Sequence, residues 1–277
     1  MFDKTWKKVV WGVLVIIVAL GCFVRYDFRK FCDESVPIFA YHRVGDYGNI
    51  YSMPVKELDA QMKYMHDQGY RTLNLDQYVK ARENHEKLYR TMVLTFDDGY
   101  SDNLSAGVPV LSKYGYTASI FLAIKFMAWP DYVTWEDVQG LEKAGWEIGS
   151  HTYNHIELGK ASPDVVLQEL VESKEFLTKG AVPYPVSSLC FPSGSFDKNV
   201  CKLVKEAGYK AALTGDIGVN SDNIPLTRLR RVNAFYYGPG IEGFAHKLEQ
   251  AQVVSYVEKY GIDGTKWWRK YLKWTMK

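Results

Sequence analysis

Apolar runs and helical spacings take turns along this chain. Pro37-Ile38-Phe39-Ala40-Tyr41-His42 is an apolar run ending on an imidazole and predicts a first strand. Leu58, Met62 and Met65 are spaced for a helix that Gly69 closes, Arg71-Thr72-Leu73 reads as a short strand, and Leu75 to about Asn84 as another helix. Met92-Val93-Leu94-Thr95-Phe96 is a continuous apolar run, the signature of a buried parallel strand, and it stops at Asp97-Asp98-Gly99. Asn103 to Tyr114 reads as a helix with a bend near Pro109, and Thr117 to Leu122 as a strand. A helix capped by Thr134 with Asp137 follows and ends at Gly145, and Trp146 to Ser150 is a strand running into His151. A helix from Ser162-Pro163 to about Thr178, a strand Ser187 to Phe191 and a helix Asp197 to Ala207 come next. Late strands are Lys210 to Thr214 and Arg228 to Val232. Strands separated by helices argue for a parallel sheet. Strands ending at His42, Asp97, His151 and Pro192 would gather those residues at one rim of a barrel.

The N-terminus breaks this alternation. Lys4, Lys7 and Lys8 precede an uncharged run from Val9 to Val24, and Arg25, Arg29 and Lys30 follow. Its 16 residues fall short of the ~20 of a spanning helix, but Trp6 and Tyr26 flank it as interfacial anchors. The basic start favours an uncleaved single-pass anchor in the cell membrane, with the remainder of the chain extracytoplasmic. A cleaved signal peptide, giving a secreted protein, is the rival reading. Ala19-Leu20-Gly21-Cys22 also has the outline of a lipoprotein box, with Cys22 as the lipidated residue. Asp27 to Val36 reads as a charged linker. The expected division is therefore 1–35 anchor and linker, 36–245 catalytic domain and 246–277 tail.

Composition changes this picture little. The chain has 277 residues, 24 % charged, and a net charge of +2, too small to argue for a nucleic-acid partner. Aromatic content is 15 %, which suits a protein that handles sugars. Cys22, Cys32, Cys190 and Cys201 form no CxxC pair, so no structural zinc knuckle is expected; Cys190 reads as a buried small residue rather than the disulfide partner of Cys201. Oligomeric state is not legible. In the tail, Lys266, Arg269, Lys270, Lys273 and Lys277 accompany Trp267, Tyr271 and Trp274, which fall on one helical face. That pattern suits an interfacial membrane helix, a grip on an anionic polymer, or a helix packed on the barrel.

The chemistry concentrates in two places. Adjacent Asp97 and Asp98 cannot point the same way, so they suit two jobs, one holding a metal and one moving a proton. His151 and His155 lie four apart and face one side if the chain makes a helical turn there. Two imidazoles and one carboxylate leave open positions around a divalent ion, the pattern of a catalytic rather than a structural site. The same donors also hold iron in oxygenases.

Thr95-Phe96-Asp97-Asp98-Gly99 and His151-xxx-His155 resemble the first two motifs of the polysaccharide deacetylases, carbohydrate esterase family 4, also called the NodB homology domain. Tyr116 to Leu122 and Gly145 to Thr152 agree as well, and the resemblance covers about residues 36 to 235. It implies a distorted (β/α)7 barrel and a hydrolase that removes N-acetyl groups from polysaccharide. It implies Asp98, His151 and His155 as ligands of a divalent metal, zinc or else cobalt, nickel or iron. Asp97 matches the general base. Phe191-Pro192-Ser193-Gly194 resembles the third motif, in which Ser193 would give an oxyanion-binding N–H.

Two departures refine the expectation. Cys190 stands where the family carries an arginine that pairs with the catalytic Asp, and the late Leu-x-His acid is missing, His246 being the one His after His155. Ala40-Tyr41-His42-Arg43-Val44 matches the N-terminal block of the poly-N-acetylglucosamine deacetylases of biofilm matrices, in which the His is the general acid. The expected function is accordingly N-deacetylation of a poly-β-1,6-N-acetylglucosamine-type polymer, with His42 as acid and Arg231 as the cation beside Asp97. The alternatives are a deacetylase of peptidoglycan or another acetylated polysaccharide, and a carbohydrate-binding protein with a dead site.

Overall fold

The computed structural model describes residues 4–127, 129–180, 182–234 and 239–275, with side chains at residue 6 and over 9–270 of these. Helix α1 (Lys4–Glu34) leads into β1 (Ile38–Tyr41), and the short strands β2 (Arg43–Val44) and β3 (Ser52–Met53) pair in the loop beyond. Then come α2 (Val55–Asp67), β4 (Arg71–Leu73), α3 (Leu75–Glu83) and β5 (Thr91–Phe96). A π-turn at Asn103–Gly107 runs into α4 (Val108–Ser112), followed by β6 (Ser119–Leu122), α5 (Trp135–Lys143) and β7 (Glu147–Ser150). The chain closes with α6 (Pro163–Gly180), β8 (Ser188–Cys190), α7 (Lys198–Glu206), β9 (Ala211–Ile217), β10 (Leu229–Asn233), α8 (Glu242–Glu258) and α9 (Gly264–Thr275).

The strands run β1-β10-β9-β8-β7-β6-β5, and β5 returns to β1, which closes a ring of seven parallel strands. β4 lies outside that ring, beside the first residues of β5 (Arg71↔Thr91, Leu73↔Val93), while β1 takes the last (Tyr41↔Phe96). This is the (β/α)7 barrel with a helix-shielded wall. Strands β1, β5, β6, β7 and β8 are buried at every residue, which is why β1 and β5 read as near-continuous apolar runs instead of alternating ones, whereas β7 carries the buried Glu147. Gly149 is needed for closure, since a Cβ there would lie 2.5 Å from the Phe121 ring.

Several boundaries differ from the sequence expectation. Asp27 to Glu34 is not a linker but the last two turns of α1, held because Phe28 and Phe31 pack on Tyr256 of α8. The helix expected over 103–114 opens with a π-turn, since Pro109 supplies no N–H to continue the ordinary ladder into the turn before it. The division at 245/246 falls inside α8, which buries Phe244, Leu248, Ala251 and Val254 against the barrel. In α9 the buried aromatic is Trp268, whose ring lies 5.4 Å from that of His246, whereas Trp267 is exposed. The side chains of Tyr271, Lys273 and Trp274, and all of Lys277, lie outside the described residues. All four cysteines are free, so Cys190 and Cys201 form no disulfide.

Candidate active site

The site grows from the end of β5. Thr95 Oγ1 donates to the Phe39 carbonyl at 2.7 Å and the Asp97 N–H to that of Tyr41 at 2.9 Å, so β1 and β5 deliver their ends together. Asp98 (φ 73°) and Gly99 (φ 88°) then turn left-handed in succession. The turn separates the two carboxylates as their adjacency required.

Asp97 is 2 % exposed. Arg231 Nη1 donates to its Oδ1 at 2.9 Å and Oδ2 at 2.7 Å, while Arg231 Nε donates to the Thr214 carbonyl at 2.9 Å. The Cys190 thiol donates to Asp97 Oδ2 at 3.5 Å. Burial pushes the Asp97 pKa up, but the charges of Arg231, His151 and His42 outweigh it and hold the group down at about 2. Burial also drives the Cys190 thiol far upward, so it stays a neutral donor. Arg231 reaches Asp97 from another strand, whereas the wider family's arginine sits at the Cys190 position.

Asp98 faces the imidazoles. Its Oδ1 lies 3.2 Å from His155 Nε2 and 3.5 Å from His151 Nε2. One ligand atom from each of Asp98, His151 and His155 falls within 4.8 Å of the others. His151 is buried, and its Nδ1–H donates to the Cys190 carbonyl at 2.7 Å, which leaves Nε2 as a lone pair toward Asp98. Burial lowers the His151 pKa, favouring the neutral form a metal needs. Two imidazoles and a carboxylate, with a backbone carbonyl orienting one ring, fit a borderline divalent cation such as zinc. Asp97, His151 and Cys190 also bring one ligand-type atom each within 4.8 Å of one another. That set suits an ion poorly, because Asp97 is already committed to Arg231 and the Cys190 thiol stays protonated.

The route from His151 to His155 is not a helical turn. It is a loop with Thr152 (φ 67°) and His155 (φ 57°) in the left-handed region. Glu169 imposes this shape: Tyr153 N–H and Asn154 N–H donate to its Oε2 at 2.9 and 2.8 Å, and Asn154 Nδ2 to its Oε1 at 2.7 Å. Sequence reasoning missed Glu169. Its signal was an acid on the buried stripe of α6 beside Val166, Leu170 and Ser173.

His42 follows β1, close enough for its charge to lower both Asp97 and Asp98, with its ring 4.9 Å from that of Tyr51. Asn103 Nδ2 donates to the His42 carbonyl at 2.8 Å, and Asp102 accepts from Val44 N–H at 2.9 Å and Arg43 Nε at 3.0 Å. Asp102 and Asn103 were also missed; they follow the motif in the same loop and fasten it to the His42 segment. Ser193 is exposed at φ 54° in the turn after β8. Gly194 there packs so tightly on Gly215 that a Cβ would lie 2.8 Å from its Cα. An aromatic wall of Phe126, Trp129 and Tyr132 adjoins the imidazoles, the Phe126 ring lying 5.3 Å from His155.

Fold and site together define a barrel hydrolase with a buried carboxylate beside a metal-type ligand set. A family model described as polysaccharide deacetylase matches residues 84–212. A protein of Bacillus subtilis (strain 168), provisionally named polysaccharide deacetylase YxkH, is 31 % identical over 212 residues, 76 % of this chain and 74 % of that one. A poly-beta-1,6-N-acetyl-D-glucosamine N-deacetylase of Staphylococcus aureus (strain MSSA476) is 25 % identical over 176 residues, 58 % of this chain and 60 % of that one. The deacetylase PplD of Streptococcus pyogenes, solved in complex with acetate, superposes with a TM-score of 0.71 at 25 % identity, covering 79 % of this chain and 99 % of that one. The chain belongs to the polysaccharide deacetylase family, whose members are metal-dependent enzymes acting on acetylated polysaccharide.

Proposed function

We propose that this deacetylase removes N-acetyl groups from a polymer of N-acetylglucosamine, of the poly-β-1,6-linked type, outside a cytoplasmic membrane crossed by α1. The observation that carries the chemistry is the buried Asp97–Arg231 pair set beside the convergent Asp98, His151 and His155. The substrate class follows the Staphylococcus aureus relative and the His42 block.

Asp98, His151 and His155 would hold the cation, with zinc the first candidate and cobalt, nickel or iron behind it. When bound, such an ion polarises the acyl carbonyl and makes a water more acidic. Asp97 receives the proton of the attacking water. Arg231 keeps it ionised and aimed. His42 gives a proton to the departing amine, which leaves poorly without one. The Ser193 N–H donates to the oxyanion as it develops. The Phe126, Trp129 and Tyr132 wall offers ring faces to sugar.

The test is acetate release from β-1,6-linked against β-1,4-linked N-acetylglucosamine oligomers, with Asp97→Asn as the control. Faster release from the β-1,6 series is expected. Equal or faster release from the β-1,4 series overturns the linkage, and release from neither overturns the substrate class.

A further inference from the structure

The active-site rim and the anchor lie at opposite ends of the barrel. The last turns of α1 are built into the fold. Asp27 accepts from Tyr260 OH at 2.7 Å and Tyr256 OH at 3.0 Å, with Lys259 Nζ 3.4 Å away. Asp33 pairs with Arg90 Nε at 2.9 Å, and its carbonyl accepts the Arg90 N–H at 2.7 Å. Arg90 immediately precedes β5, so α1 is fastened to the N-terminal ends of the strands. His42 and Asp97 follow the other ends of β1 and β5, and the six residues of β5 separate the two rims by about 20 Å.

The apolar part of α1 is wholly exposed. Its last apolar residue, Val24, is about 4.5 Å along the axis from Asp27 at 1.5 Å per residue. The corner between α8 and α9 thus sits within one turn of where the run ends. That corner exposes Tyr260 (56 %) and Ile262 (46 %), beside Tyr26 (68 %) on α1. Arg25 and Arg29 give the same region positive charge and are solvent-facing, while Lys259 is paired with Asp27 and Asp263 adds one exposed acid. Helix α9 does not extend this surface. Gly264 is pressed against Val254 and Trp268 lies by His246, so α9 runs back along α8, away from the corner.

We propose that α1 is a rigid stalk locked to the N-terminal rim. The Tyr260–Ile262 corner rests in the headgroup layer of an anionic phospholipid surface, and the catalytic rim faces away from it. This rests on the reading of α1 as a retained membrane anchor. Burial of the exposed apolar corner and attraction of anionic headgroups to Arg25 and Arg29 both favour the arrangement. The Asp27 clasp removes the swivel that a flexible linker would allow. The site therefore meets polymer at a fixed height above the lipid, not lipid-embedded material.

The experiment places p-benzoylphenylalanine separately at Leu14, Ile262 and Tyr47 in the full chain, reconstituted in phosphatidylcholine–phosphatidylglycerol vesicles. Tyr47, whose ring lies 3.6 Å from the guanidinium of Arg43 next to His42, marks the catalytic rim. Lipid adducts after photolysis are read by mass spectrometry. Adducts are expected from Leu14 and Ile262 and none from Tyr47. Asp27→Ala should lower the Ile262 yield severalfold and leave Leu14 unchanged. No adduct from Leu14 overturns the anchor and the orientation with it. Adducts from Leu14 without Ile262, or from Tyr47, overturn the orientation alone. An unchanged Ile262 yield in Asp27→Ala overturns the clasp. Acetate release by these variants stands separate from all of these outcomes.

Discussion

Two fully buried carboxylates mark the two ends of this barrel, and their partners set them apart. Asp97, at the C-terminal rim, is paired with a guanidinium and held ionised at about 2. Glu147, at the start of β7, is 5 % exposed and accepts from neutral groups: Ser188 Oγ at 2.6 Å, and Ser119 Oγ and Asp76 N–H at 2.8 Å each. Burial outweighs those bonds and raises its pKa. A groove of about 580 Å³ opens beside Glu147, lined also by Lys80, Lys174 and Tyr184, yet it contains none of the ligand or base candidates. Burial and hydrogen bonding alone thus do not distinguish a working acid from a structural one. The charge of the partner does, because a guanidinium stabilises the ionised form that a base requires.

The sharpest break of this comparison is Asp97→Asn, expected to lower kcat by about 10³-fold or more while bound metal, measured by elemental analysis, stays near one equivalent. Retained turnover would remove Asp97 as base. Arg231→Met strips the cation and leaves Asp97 buried and unpaired, so denaturant unfolding should register a loss of about 3–5 kcal/mol. An unchanged midpoint would mean the pair does not hold the ring together. His42→Ala is expected to cost about 10²-fold in turnover with metal content unchanged. Full activity would return the acid to another group.

Glu147→Gln is the mildest case, at about 1–2 kcal/mol of stability with turnover intact. It also carries a pH sign. A buried acid with a raised folded pKa contributes fully below its unfolded value of 4.5, and that contribution is lost as pH rises through the higher folded value. Wild type should lose stability across that window, and Glu147→Gln should not share the slope. Parallel curves for the two proteins would show that Glu147 is not the group responsible.

Legibility followed range. The helix cap at Thr134, the helix stops at Gly69 and Gly145, and the strand ends at Asp97 and His151 are local turn and period effects, and all were readable along the chain. The sequence could align His151 and His155 only on the condition of a helical turn; the actual loop is shaped by Glu169 on α6, which nothing in the intervening residues announces. Asp27 to Glu34 was misread as a linker because its charges look solvent-bound in one dimension. Four of its side chains, Asp27, Phe28, Phe31 and Asp33, meet Tyr256 or Arg90, far along the chain.

The sequence by itself determined which residue types could do the chemistry, that strands and helices alternate into a parallel barrel, and that an apolar helix leads the chain. Those are properties of neighbours, set by side-chain period, turn chemistry and motif spacing. The sequence offered Arg231 as the cation beside Asp97, and the tertiary structure shows how it gets there: from β10, 134 positions away, its Nη1 meets both carboxylate oxygens in place of a residue at position 190. The tertiary structure alone decided that Asp102 and Asn103 tie the His42 segment to the motif loop, and that α1 is fastened opposite the catalytic rim. Such pairings exist only once the ring has closed, because closure is what brings distant charges out of water and within reach of one another.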